Sequence, residues 1–246
     1  MTQTIYAIGD IHGHLGPLID IHARIEKDRA AHADQNAEVI HIGDYTDRGP
    51  NSKGVIDYLI AGQNRGENWR FLLGNHDRLF AWFLADPNRV DPRLRTDYTW
   101  LSQNMGGRTT LASYGAPSAE TADPIDLYQF AQNAVPDSHR IFLQGLVTYI
   151  EKPGLLFVHA GIRPGIPMAK QSVDDLVWIR QEFHDHSGPH PALIIHGHTS
   201  IDAVTHYGNR VNIDTGMAWG RHLSAIVIEG KNLYELSAIG RRLLQP

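Results

Sequence analysis

The sequence predicts an α/β fold in which helices alternate with the strands of a largely parallel sheet, joined by a second, mixed sheet. Three observations predict it. Near the N-terminus a short apolar run, a glycine turn bearing polar residues and an amphipathic segment follow one another three times. A stretch broken by Asp-Pro pairs then interrupts the pattern, and beyond it strands recur without long helices between them. Segments that alternate in this way bury their apolar faces by packing helices on a parallel sheet.

In the first unit a strand over 5–8 runs into Gly9-Asp10, and Leu15, Leu18, Ile19, His22 and Ile25 recur at helical spacing. The second has a strand over 38–42, the turn Gly43-Asp44 and a helix marked by Val55, Ile56, Leu59 and Ile60. In the third, a strand over 70–73 meets Gly74-Asn75-His76-Asp77 and an apolar run over 79–84. Asp86-Pro87, Asp91-Pro92 and Asp123-Pro124 mark 86–140 as a mainly helical insertion or cap within one domain spanning 1–246. Strands are then expected over 155–158, 193–195, 211–213, 223–228 and 233–239. There is no solenoid repeat and no low-complexity tract.

A chain of 246 residues can bury one main core, and 42% hydrophobic with 20% charged residues is ordinary globular usage, against a disordered or fibrous protein. The formal charge of −5, from 22 basic and 27 acidic residues, comes with no dense basic block, which argues against a duplex nucleic-acid partner. Without cysteine, any bound metal must use nitrogen and oxygen ligands. No apolar run approaches the ~18 residues of a membrane span and no basic-led apolar segment opens the chain, so the expectation is a cytoplasmic protein with no membrane partner. Oligomeric state is not legible. The outlier is histidine, at 15 residues.

Several of those histidines fall where strands end. "GDIHGH", "GDYTDRG", "GNHD", "VHAG" and "HGHT" each follow an apolar run and carry Asp10, His12, Asp44, Asn75, His159 and His198. In open α/β sheets, ligands bind beyond the carboxyl ends of the strands. The set is one of hard oxygen and imidazole donors. Two divalent ions sharing a bridging carboxylate need six or more such groups and suit phosphoester hydrolysis; imidazole with carboxylate favours manganese, iron or zinc over magnesium alone. A lone strand-end aspartate is ordinarily a turn former or helix cap. Recurrence in matched settings beside histidines makes capping alone a poor account. His22, His32, His41, His184, His186, His190, His206 and His222 are read as surface residues or ordinary polar contacts, and Trp69, Trp82, Trp100 and Tyr98 as core or cap packing.

The ordered clusters "GDIHG", "GDYTDRG" and "GNHD", with Asp10, Asp44 and Asn75 spaced by 34 and 31 positions, resemble the signature of the calcineurin-like metallophosphoesterases. "VHAG" and "HGHT" resemble its two later histidine motifs. "RGP" after Asp47, "LVWIR" at 176–180 and "NIDTGMAWG" at 212–220 are most similar to bacterial and phage-type PPP phosphoprotein phosphatases and to symmetrical diadenosine tetraphosphatases. The resemblance spans residues 5 to about 230. It implies a four-layer αββα sandwich of two mixed sheets with a small helical cap.

By position, the resemblance assigns Asp10 and His12 to one ion and Asn75, His159 and His198 to the other, with Asp44 bridging. It implies direct in-line attack by a hydroxide held between the ions, Arg48 and Arg180 holding phosphoryl oxygens, and His76 protonating the leaving group with Asp47 orienting its imidazole. Thr46 stands where valine is common and Asp77 where glutamate often stands. His196 lies two residues before His198, which leaves two candidates for one ligand; alignment with the family favours His198. "NMGG" at 104–107 resembles a segment of the family's cap. The substrate implied first is a phosphoserine or phosphothreonine protein or another small phosphomonoester. Alternatives are a symmetrical bis(5'-nucleosyl) tetraphosphate hydrolase, a nuclease or cyclic-nucleotide phosphodiesterase, or a catalytically silent metal-binding module.

Overall fold

The fold was obtained as a computed structural model that describes residues 4–32 and 34–246. In chain order its elements are β1 (Ile5–Ile8), α1 (Leu15–His32), β2 (Glu38–His41), α2 (Ser52–Asn64), β3 (Trp69–Phe71) and α3 (Asn75–Ala85). Then come α4 (Gly107–Ser113), α5 (Pro124–Ala134), α6 (Asp137–Gln144), β4 (Tyr149–Lys152) and β5 (Leu155–Val158). The chain continues through α7 (Val173–Trp178), α8 (Gln181–His184), β6 (Leu193–His196), β7 (Thr205–His206), β8 (Arg210–Asn212), β9 (Ala225–Glu229), β10 (Asn232–Ser237) and β11 (Gly240–Leu244).

Strand side chains alternate between two faces, and here both faces are apolar, so each sheet is covered on both sides. In β1, Tyr6 and Ile8 point to the large core under the first helices, whereas Ile5 and Ala7 point to a core between the sheets. Ile40, Phe157, Ile195, Val211, Ile226 and Ile228 complete that inner core. Leu156, Val158 and Ile194 face the other way, against Leu176, Ile179 and Phe183 of the outer segment containing α7 and α8. The result is the predicted αββα sandwich. One sheet has the order β11-β10-β9-β1-β2-β3 and the other β4-β5-β6-β8-β7. β1, β2 and β3 run parallel, as do β5, β6 and β8; their register brings the strand ends together, with Ile8 opposite His41 and Phe157 opposite Ile195.

The predicted strand–turn–helix units are present. Residues 86–106 form turns, and α4, α5 and α6 follow, packing on α2 and α3. Three strands escape the sequence pattern. β4 and β11 are polar (YIEK, GRRLL), β7 has two residues, and all three take their place only by antiparallel pairing to a neighbour. The strand expected over 233–239 ends at Ser237, because Ile239 lies in the hairpin turn, fully exposed. Among the described residues no helix is long and apolar enough to cross a membrane.

His22 and His41 are not surface histidines. Buried beneath the Trp69 ring, they face each other Nε2 to Nε2 at 3.1 Å. The Arg70 carbonyl can only accept, so His41 Nδ1 carries a proton, and its Nε2 accepts from His22. Burial lowers His41 to about 4 and His22 to about 2. Both are neutral when folded and charged when unfolded below about pH 6.5, so the unfolded chain binds the extra protons. Stability is therefore full above pH 6.5 and falls as pH drops towards 4 and then 2. Each group contributes up to about 1.4 kcal/mol per pH unit within its window. Denaturant melts at pH 7 and pH 5 are expected to show the loss, and His22→Phe should reduce its slope.

Candidate functional site

All five predicted motifs converge at the carboxyl ends of β1, β2, β3, β5 and β6. Of the six described non-glycine residues with positive φ, five are His12, Asp44, Asp47, Arg48 and His198. Left-handed backbone at such residues costs energy and clusters at sites that dictate geometry. Packing holds the loops there. The Asp44 carbonyl accepts from the backbone N–H of Ile11 and His12, and a Cβ on Gly74 or Gly197 would collide with the carboxylate of Asp44 or Asp10.

Two clusters of potential ligands share one residue. His12, Asp44 and His76 form one, and Asp44, His159 and His198 the other, each with donor atoms within 4.8 Å of one another. His12 Nδ1 lies 3.0 Å from the Thr46 carbonyl and His159 Nδ1 2.9 Å from that of Ile42. Each Nδ1 therefore donates, which leaves Nε2 as a lone pair. Those lone pairs face Asp44 oxygens at 3.4 and 3.5 Å. A lone pair set against a carboxylate calls for a cation between them. Asp10 gives the same indication, since its buried Oδ1 has no hydrogen-bond partner among the described residues while Oδ2 accepts from the His198 N–H. Burial, then the nearby Asp214 and Asp44 carboxylates, push Asp10 well up. Asp44 is itself buried, in the midst of His12, His76, His159 and His198. Asn75 Oδ1 lies 3.0 Å from His159 Nε2 and 2.9 Å from His198 Nδ1. The donor set fits divalent ions.

Beside these groups, Arg48 Nη1 lies 3.4 Å from His12 Nε2, and Arg180 Nε donates to His198 Nε2 at 3.0 Å. Burial and then the Arg48 guanidinium push Arg180 below its ordinary value. Neither arginine has a carboxylate partner among the described residues, so two adjacent guanidinium groups are left for an anion. His76 Nδ1 is 2.7 Å from Asp47 Oδ2. Residues 3–222, most of the chain, match the family described as calcineurin-like phosphoesterase.

The chain belongs to this family. It is a metal-dependent phosphoesterase. Among its curated relatives, the bis(5'-nucleosyl)-tetraphosphatase PrpE (asymmetrical) of Anoxybacillus flavithermus is 28% identical over 242 residues, covering 89% of this chain and 88% of that protein. The protein of the same name from Geobacillus thermodenitrificans is 27% identical over 231 residues, with the same coverage. A solved putative diadenosine tetraphosphatase superposes with a TM-score of 0.63 at 20% identity, covering 96% of this chain and 93% of that one. A cold-active protein tyrosine phosphatase gives 0.65 at 15% identity, covering 100% and 81%. These two structures share the fold.

In this phosphoesterase, side chains beyond the candidate ligands support the site. Asp77 accepts from the backbone N–H of Asp44 (2.7 Å), Tyr45 (2.9 Å) and Gly74 (3.1 Å), tying the β2 and β3 turns together. Trp100, expected only to pack, donates Nε1 to Asp47 Oδ2 at 2.8 Å, and Thr110 Oγ1 donates to Asp47 Oδ1 at 2.7 Å. The segment after α3 thus holds the carboxylate that holds His76. His196 goes elsewhere: its Nε2 is 3.2 Å from Arg210 Nη1 and its ring packs on Phe183, away from Asp44.

Proposed function

We propose that this phosphoesterase hydrolyses the phosphoric anhydride of dinucleoside tetraphosphates. Asp10, His12, Asp44, Asn75, His159 and His198 would hold two divalent ions, with manganese first and iron or zinc compatible. The observation that carries hydrolysis is the pair of histidine clusters sharing Asp44, with two unpaired arginines beside it. Bound ions supply Lewis acidity and lower the pKa of water, which suits attack on phosphorus without a protein nucleophile. Arg48 and Arg180 bind and orient the non-attacked oxygens. His76 Nε2 delivers the proton to the leaving oxygen, and Asp47 keeps its other nitrogen protonated and the ring aimed.

The nucleotide substrate is supported by the PrpE relatives, which match over nearly their whole length and are named for asymmetrical cleavage. The symmetrical alternative expected from the motifs gives two ADP; asymmetrical cleavage gives AMP and ATP. A phosphoserine or phosphothreonine protein is the second reading, favoured by the small Thr199 directly after His198. The reading includes a cytoplasmic location and a single catalytic domain capped by residues 86–140. Metal-stripped protein reloaded with Mn²⁺ is expected to release AMP and ATP from diadenosine tetraphosphate faster than phosphate from a phosphothreonine peptide. Faster release from the peptide would transfer the assignment to the second reading.

A further inference from the structure

Trp219 is a large aromatic left open at the rim of this site. It closes a 3₁₀ turn, Met217–Trp219, flanked by Gly216 (φ 82°) and Gly220 (φ 76°), both left-handed. The turn buries Met217 and puts the indole outside, 61% exposed. One face of the ring is engaged: the Arg48 guanidinium lies 4.7 Å from its centroid. The same guanidinium reaches the metal-ligand cluster through Nη1, while its Nε is buried with no partner among the described residues. A single arginine side chain thus spans from the phosphate position to an exposed aromatic face.

We propose that Trp219 is a nucleobase subsite that fixes which phosphorus is attacked. This rests on the nucleotide reading above. A base stacked on the free indole face lies one guanidinium from the phosphate held by Arg48. That separation suits the phosphorus directly esterified to the ribose 5′-oxygen. Attack there forms a bond from a water oxygen to that phosphorus and breaks its bond to the bridging oxygen. The bridging oxygen departs on ATP with the proton from His76, and AMP remains. Water and the dinucleotide are fully accounted for in AMP, ATP and released protons. Cleavage one phosphorus further along, giving two ADP, would carry the base past the ring.

The test compares Trp219→Ala and Trp219→Phe with wild type on diadenosine tetraphosphate and on inorganic tetrapolyphosphate, which has the anhydride but no base. Stacking by one aromatic predicts that W219A loses about tenfold or more in kcat/KM on the dinucleotide relative to tetrapolyphosphate, mostly through KM, and that W219F recovers most of it. AMP is expected to quench tryptophan emission in wild type and much less in W219F. Equal losses on both substrates would overturn the inference, because Trp219 would then act only by steadying Arg48; so would an unchanged KM for the dinucleotide. If wild type cleaves neither compound but AMP quenches through Trp219, the subsite stands and the tetraphosphate assignment fails.

Discussion

Replacing Asp44 with asparagine is expected to lower turnover by about 10³-fold or more while the fold persists. Asp44 alone belongs to both ligand clusters, with its two oxygens facing His159 Nε2 and His12 Nε2. Asparagine keeps the volume and still offers Oδ1 to the N–H of His76, a 3.0 Å contact that caps the start of α3. What disappears is one anionic oxygen and the negative charge that both clusters share. Loss of several kcal/mol of charge stabilisation at a dinuclear site corresponds to three or more decades in rate. The check is phosphate release under saturating Mn²⁺, with a thermal melt and a metal titration on the same sample. Near-wild-type turnover would sink the dinuclear reading. Asp77→Ala provides the contrast, because it deprives several backbone N–H groups of their acceptor and should lower the melting temperature before it changes metal stoichiometry.

Much of this candidate site was legible because its proposed ligands are local features. Asp10, Asp44 and Asn75 each directly follow a glycine at a strand end and His159 stands two residues before one, so all four could be found without knowing how strands pair. The choice between His196 and His198 shows where pattern reading ends. Residues two apart on a strand share a face, so alternation alone does not separate them. His196 is the last residue of β6 and turns towards Arg210, whereas His198 comes after the strand, at φ 67°, and swings back over Asn75. Trp100 and Thr110 were illegible for another reason. They reach Asp47 from 53 and 63 residues away, out of a segment whose composition signals only turns and short helices. Polar β4 and β11 likewise become strands through pairing rather than through their own pattern.

Replacing His76 with asparagine is expected to slow hydrolysis of alkyl phosphomonoesters by about 10²- to 10⁴-fold, the usual worth of general acid catalysis. The effect should depend on the leaving group. An alkoxide must take up a proton as its bond to phosphorus breaks, whereas p-nitrophenolate leaves readily as an anion, so the same variant should lose far less on p-nitrophenyl phosphate. The geometry requires this ordering. Asp47 is fully buried and accepts from Thr110 Oγ1 and Trp100 Nε1, so it cannot swing away from His76 Nδ1 at 2.7 Å. That contact places the donor hydrogen on Nδ1 and turns Nε2 towards the cluster, where the His12 ring lies 4.8 Å away. Asp47→Asn should reproduce the leaving-group dependence in weaker form, because an amide can hold the ring but cannot stabilise its charged state. Equal losses on alkyl and aryl esters for both variants would mean that His76 serves only to hold the loop. In that case the proton comes from elsewhere, and the carboxylate held by Trp100 and Thr110 is a structural brace alone.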